Sequence, residues 1–195
     1  MKRLRRLLHG ERGYSLIELL TVMALLSVVV GGLTTLFVQG SNGELDLNHR
    51  FQAQETARVA MDKLRREVHC ASTATSSSSA TVALSLAATC PTAGGVATTA
   101  NWCALQVPSA PTGQYGLYRQ TGASCTTSGI KYADYMTSSA VFTYNVPNAV
   151  YLGTLAVDLK VNPKPTLPAE TFELKDCLVL RNSVRGSSGS TPPTC

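Results

Sequence analysis

Leu19 to Val38 (LLTVMALLSVVVGGLTTLFV) runs without a single charge. As an α-helix rising about 1.5 Å per residue, it spans about 30 Å, the hydrocarbon thickness of a bilayer. A helix that is apolar all round is buried in a large core or in lipid. No second apolar run of that length is available to bury it. The segment therefore reads as membrane-spanning, and the chain beyond it must fold outside the lipid. Among residues 14–43 the only charge is Glu18.

The charge distribution gives the segment a direction. Lys2, Arg3, Arg5, Arg6 and Arg12, set against Glu11, place most of the net charge of +5 ahead of Gly13. A basic flank ahead of an apolar span is the mark of a cytoplasmic end. The body is nearly neutral and only 6% aromatic, which argues against a surface built to stack and neutralise nucleic acid.

A second helical pattern follows, from Glu44 to Ala71. Leu47, Phe51, Ala57, Met61, Leu64, Val68 and Ala71 recur at spacings that put them on one apolar stripe. On the other face, Asp62 with Arg66 and Lys63 with Glu67 form i, i+4 ion pairs. Gly40 and Gly43 either bend the chain or let the two helices run on as one rod of about 85 Å over residues 15–71. Residues 72–79 (STATSSSS) read as a flexible polar loop. Beyond them come short β-prone runs at 80–87, 102–107, 115–120, 140–146, 154–161 and 172–181, separated by Gly, Pro, Ser and Thr. The apolar helix stripe is the natural cover for one face of such a sheet. Residues 183–195 read as a flexible tail. The expected fold is α+β: a long N-terminal helix, half in the membrane and half packed on an antiparallel β-sheet head. The expected division is 1–13, 14–40 and 41–195, with a helix at 44–71 and a β-rich region at 80–182.

The six cysteines, Cys70, Cys90, Cys103, Cys125, Cys177 and Cys195, all lie beyond the apolar run, and none forms a CxxC pair. An even number in a Ser/Thr-rich extracytoplasmic body points to disulfides rather than metal. Six cysteines allow about 15 pairings. Pairing by sequence neighbours gives Cys70–Cys90, Cys103–Cys125 and Cys177–Cys195, each closing a loop of roughly 20 residues.

The most specific residues are Gly13-Tyr14-Ser15-Leu16-Ile17-Glu18, basic before and apolar after. This stretch resembles the type III signal of type IV pilin-like precursors: Gly, usually Phe, Ser or Thr, two aliphatics, then Glu. Tyr14 stands where Phe is usual. The resemblance covers the leader and the apolar helix, as far as Gly40. It implies cleavage between Gly13 and Tyr14 by a prepilin peptidase, followed by N-methylation of Tyr14. A glycine suits a site where a protease must approach the backbone closely. The resemblance further implies that Glu18 meets the N-terminal amine of a neighbouring subunit during assembly. Implied partners are other pilin or pseudopilin subunits, an inner-membrane assembly platform and membrane lipid, with DNA only in a competence system. The implied location is a single-pass membrane protein with a short cytoplasmic N-terminus and an extracytoplasmic head, later a cell-surface or periplasmic filament. Major pilins often carry a proline near Gly31-Gly32, and this chain has none. Ala57–Ala71 and Cys177–Asn182 are similar to segments of larger minor pilins and minor pseudopilins.

Nothing in the sequence asks for an enzyme, a cofactor or a metal. His9 falls in the leader, and His49 and His69 stand far apart on one helix, about 30 Å, so they share no ion. No GxSxG, HExxH, GxGxxG or P-loop pattern occurs. The expected function is that of a minor pilin or pseudopilin in a type IV pilus, type II secretion or competence filament. The competing reading is a signal-anchored surface binding domain that never polymerises. A secretory signal is less apt, because no A-x-A cleavage site follows the apolar run.

Overall fold

The computed structural model describes residues 14–194 apart from Ala123. They divide into two compact units at Leu47/Asn48. Helix α1, Leu16–Cys70, begins in the first unit and ends in the second. It passes through Gly40-Ser41-Asn42-Gly43 without a break, so the two helical patterns belong to one element. Glycine weakens a helix by about 1 kcal/mol relative to alanine but does not stop it.

In the first unit every residue of α1 up to Glu44 is exposed. Its hydroxyls are satisfied within the helix: Thr21 donates to Glu18, Ser27 to Ala24, Thr34 to Val30 and Thr35 to Gly32, each to a carbonyl three or four residues earlier. That local bonding lets Ser and Thr sit in an environment without water.

The second unit packs the remainder of α1 against eight antiparallel strands. These are β1 (Ala71–Ser78), β2 (Thr81–Leu86), β3 (Thr98–Gln106), β4 (Tyr115–Thr121), β5 (Ile130–Met136), β6 (Phe142–Asn145), β7 (Thr154–Val161) and β8 (Phe172–Val179). The order is β1-β2-β3-β4-β5-β7-β6, with β8 on the other side of β7. The sheet curls, so that the N–H groups of Val141 and Phe142 both donate to the Ser79 carbonyl beside the β1–β2 turn.

Two strands escape the sequence reading. The Ser/Thr run at 72–79 is not a loop: β1 leaves α1 with no intervening residue and pairs with β2 from Ala71↔Leu86 to Ser78↔Thr81. A register shift between Ala71 and Thr73 turns both Ala71 and Ala74 inward, which hides the usual alternation. Strand β5 is hidden likewise, since its pairing with β4 slips twice within a short stretch.

Alanines on α1 let it sit close to the sheet: Ala53, Ala57 and Ala60 are buried along with Met61, Leu64 and Val68. They face Val82, Leu84, Trp102, Leu117, Leu155 and Leu159 in one core. The stripe inferred from sequence needs two corrections. Leu47 and Phe51 are 68% and 65% exposed, because the covered face begins only at Ala53. Glu67, assigned to the solvated face, is fully buried.

The carboxylate of Glu67 accepts from Trp102 Nε1 at 2.8 Å and from Arg119 Nε at 2.8 Å, and Lys63 Nζ stands 4.0 Å away. It thereby ties α1 to β3 and β4 together. A second set of contacts runs along β8. Arg50 meets Glu170 (2.6 Å), Arg58 lies over the Phe172 ring, Arg65 meets Asp176 (2.5 Å) and His69 Nδ1 donates to the Val179 carbonyl (3.0 Å). Both sets of residue numbers ascend, so α1 and β8 run in the same direction. On the opposite face of β7 and β8, Asp158, Lys160, Glu173 and Lys175 form a square of alternating charge with contacts of 2.8–3.8 Å.

Cys70 is joined to Cys90 and Cys103 to Cys125, with Cα separations of 5.8 and 6.2 Å. Cys177 is disulfide-bonded, and Cys195, its partner by the neighbour rule, lies outside the described residues. The tail has no regular structure but is held in place. Gly186 N–H donates to Asn148 O, Asn148 Nδ2 to Thr191 O and Asn145 Nδ2 to Thr194 O.

Removing one partner of a buried pair strands the other, at about 3–5 kcal/mol. Glu67→Ala should lower head stability by that order, and Glu67→Gln, which still accepts from Trp102, by less. Urea unfolding followed by the fluorescence of Trp102, the chain's single tryptophan, measures both; a loss below about 1 kcal/mol, the worth of an ordinary hydrogen bond, would show the pair to be incidental.

The hydrogen bonds from Lys175 and Lys160 hold Glu173 at about 2, against its ordinary 4.5. A carboxylate more easily ionised in the folded state stabilises the fold above the ordinary value, and that contribution vanishes as pH falls from 4.5 to about 2. These side chains are solvated, so the effect is small and screened by salt. Melting curves of the unsubstituted protein and Glu173→Gln should differ near neutrality and converge by the acid end. A difference that persists there would refute the square as its source.

Candidate functional site: a processing and assembly segment

The motif sits at the start of α1. Gly13 and the basic residues before it lie outside the described residues, as does His9. Tyr14 and Ser15 precede the helix, and the Ser15 carbonyl accepts the first helical bond, from Leu19 N–H at 3.1 Å. Tyr14 is 82% exposed, and nothing in the described fold shields the backbone on its C-terminal side. Glu18 occupies the first turn of α1, where the free N–H groups of the helix favour an anion. No cation pairs with it among the described residues. It is therefore an isolated carboxylate at the mouth of an apolar helix, four residues along the chain from Tyr14.

The rest of the segment has no cover among the described residues. Leu16, Ile17, Leu20, Met23, Leu26 and Phe37 are all more than half exposed, and a stretch of mean hydropathy 2.3 has none of its residues buried. Helix α1 is the one described helix long and apolar enough to cross a membrane. Gly31 and Gly32 face open space, with nothing within 4 Å of a built Cβ. Such a surface can be covered only by lipid or by other helices.

The head offers little chemistry to set against this. His49 stands edge-on to Tyr135, 6.4 Å between ring centres, and His69 is engaged with Val179. Among the described residues no group of three or more His, Cys, Asp or Glu could hold a metal. A groove of about 840 Å³ crosses the outer face of β6, β7 and β8. Its charges are already paired, Asp158 and Lys175 in the surface square and Asp176 with Arg65, and its hydroxyls, Ser79, Thr143 and Thr194, have no histidine beside them.

Sequence reasoning passed over Trp102 and Arg119, and misplaced Glu67, though a signal was there. Ala60, Leu64, Glu67 and Ala71 recur at spacings of four, three and four, which puts Glu67 on the covered face.

Residues 8–34 match the family described as the prokaryotic N-terminal methylation motif. No curated protein and no solved structure matches the chain. The chain thus carries a type IV pilin-like prepilin signal, on a long N-terminal helix packed against a curled antiparallel sheet. That signal implies processing by prepilin peptidase and assembly with other pilin subunits, and supports membrane anchoring with the head outside.

Proposed function

We propose that this chain is a minor pilin or pseudopilin, a membrane-inserted structural subunit of a type IV pilus, type II secretion or competence filament. The observation that carries the reading is the pairing of the Gly13–Glu18 motif with an apolar helix that no other described residue covers. A binding domain that merely needed an anchor would have no use for a carboxylate in the first turn of that anchor. A filament subunit has one.

In this reading the peptidase hydrolyses the Gly13–Tyr14 amide, leaving a carboxylate on Gly13 and a new cationic amine on Tyr14, which is then N-methylated. In the membrane Glu18 carries a charge that costs about 2.5–3.5 kcal/mol at mid-bilayer and less near the interface. A neighbouring subunit's Tyr14 amine offsets that cost, and the attraction sets how far each subunit enters the filament. Gly31 and Gly32 leave room for close helix approach. The size of the head and its β-rich build favour a minor component over a major one.

The precursor should lose Met1 to Gly13. Intact mass of membrane-extracted protein, with and without the peptidase, reads this directly. A mature form that keeps Met1, or that begins near Ser41, would refute the proposal.

Glu18→Ala should be processed and retained in the membrane as well as the unsubstituted chain, since it removes a charge that lipid disfavours. It should co-purify poorly with other filament subunits. Normal incorporation would reduce Glu18 to an ordinary interfacial residue, and a defect confined to cleavage would move its role to peptidase recognition.

A further inference from the structure

The β6–β7 connection and the C-terminal tail meet at the end of the second unit where α1 stops. There Asn182 Nδ2 donates to the Cys70 carbonyl (3.1 Å) and Leu180 N–H to the Gly153 carbonyl (2.8 Å). Four large apolar side chains project from this end into solvent: Val146 is 70%, Val150 49%, Tyr151 40% and Val184 84% exposed. They do not ride on a loose loop. Asn148 Oδ1 accepts from the N–H groups of Val150 and Tyr151, and its Nδ2 donates to Thr191. The tail is seated so closely that a Cβ on Gly186 would fall 2.7 Å from the Pro147 carbonyl oxygen. No Asp or Glu occurs between Asp134 and Asp158 or after Asp176, whereas Arg181 and Arg185 on the tail are exposed.

We propose that this end of the head is a contact surface for the head of another pilin-like subunit. Its counterpart is an apolar surface rimmed by carboxylates. The inference rests on the filament-subunit reading. Clustered apolar exposure of this kind marks an interaction site, and a surface already ordered by its own hydrogen bonds loses little entropy on binding. The occupant follows from position and charge. The membrane-spanning residues lead into this unit at Asn48, and the patch lies at the other end of the helix that starts there, so lipid is not the occupant. Two arginines beside an uncharged platform are too few to hold a polyanion, but they suit a partner with an acidic rim.

A photo-cross-linking residue in place of Val184, in the full-length chain in filament-producing cells, tests this. Val184 is the most exposed of the four, so the substitution leaves the fold alone. The expected adduct contains a protein that itself carries a prepilin-type N-terminus, a second copy of this chain included. Adducts only with lipid, polysaccharide or a protein lacking that signal would overturn the proposal, as would no adduct at all. Val146→Asp and Val184→Asp should each reduce co-purification with filament subunits about tenfold, the effect of losing one buried aliphatic contact. Undiminished co-purification of both would also overturn it. The two readings fail separately. A mature N-terminus other than Tyr14 sinks the filament-subunit reading, whereas a Tyr14 start without a subunit adduct sinks only the contact surface.

Discussion

A carboxylate with no access to water is stable only where every lone pair it offers is met, and Glu67 meets that demand in one arrangement. Trp102 on β3 and Arg119 on β4 converge on it from two neighbouring strands. Sliding α1 by one turn, about 5.4 Å, would leave a charge, an indole N–H and a guanidinium unmatched at once. Apolar contacts alone are less particular. The alanine-lined face of α1 could pack on a sheet of Leu and Val at several offsets with similar burial. The ion pair selects one of them. The cationic contacts along β8 then fall into place as a consequence of that register, as does the disulfide from the last residue of the helix.

The two halves of α1 solve opposite problems with one backbone. From Leu19 to Val38 the helix carries no charge on any side, and its hydroxyls bond inward to its own carbonyls, which suits surroundings that offer no hydrogen bonds. From Asn48 on it has two unlike faces. Small residues and Glu67 turn toward the sheet, while Glu55, Asp62 and Arg66 turn toward water. No break in the helix marks the change. It is carried by side chains alone.

How much of this was legible depended on how local the signal was. The apolar span and the prepilin-type motif are properties of consecutive residues, and they stood out ahead of Gly40. The strand at 154–161 was legible too, because both of its faces follow the strict alternation of TLAVDLKV. Strands β1 and β5 were not, since register shifts break that alternation and a run of serines reads as loop by composition. Glu67 was misread for a different reason. A glutamate one turn from a lysine looks like a surface pair, and only the approach of Trp102 and Arg119, 35 and 52 residues away, reveals it as buried. The motif at Gly13–Glu18 was legible because it is carried by six consecutive residues.

Helix α1 passes into β1 with no residue between Cys70 and Ala71, and it lies alongside β8 in the same direction. This junction has a mechanical meaning. A pull transmitted along α1 does not peel the sheet open one hydrogen bond at a time. It loads the helix–sheet interface lengthwise, so the Arg65–Asp176 and His69–Val179 contacts and the Glu67 pair share the strain together. At the far end, the Cys70–Cys90 link passes the load on to the covalent chain beyond β2. A force along this part of α1 is therefore met in shear, by several contacts at once.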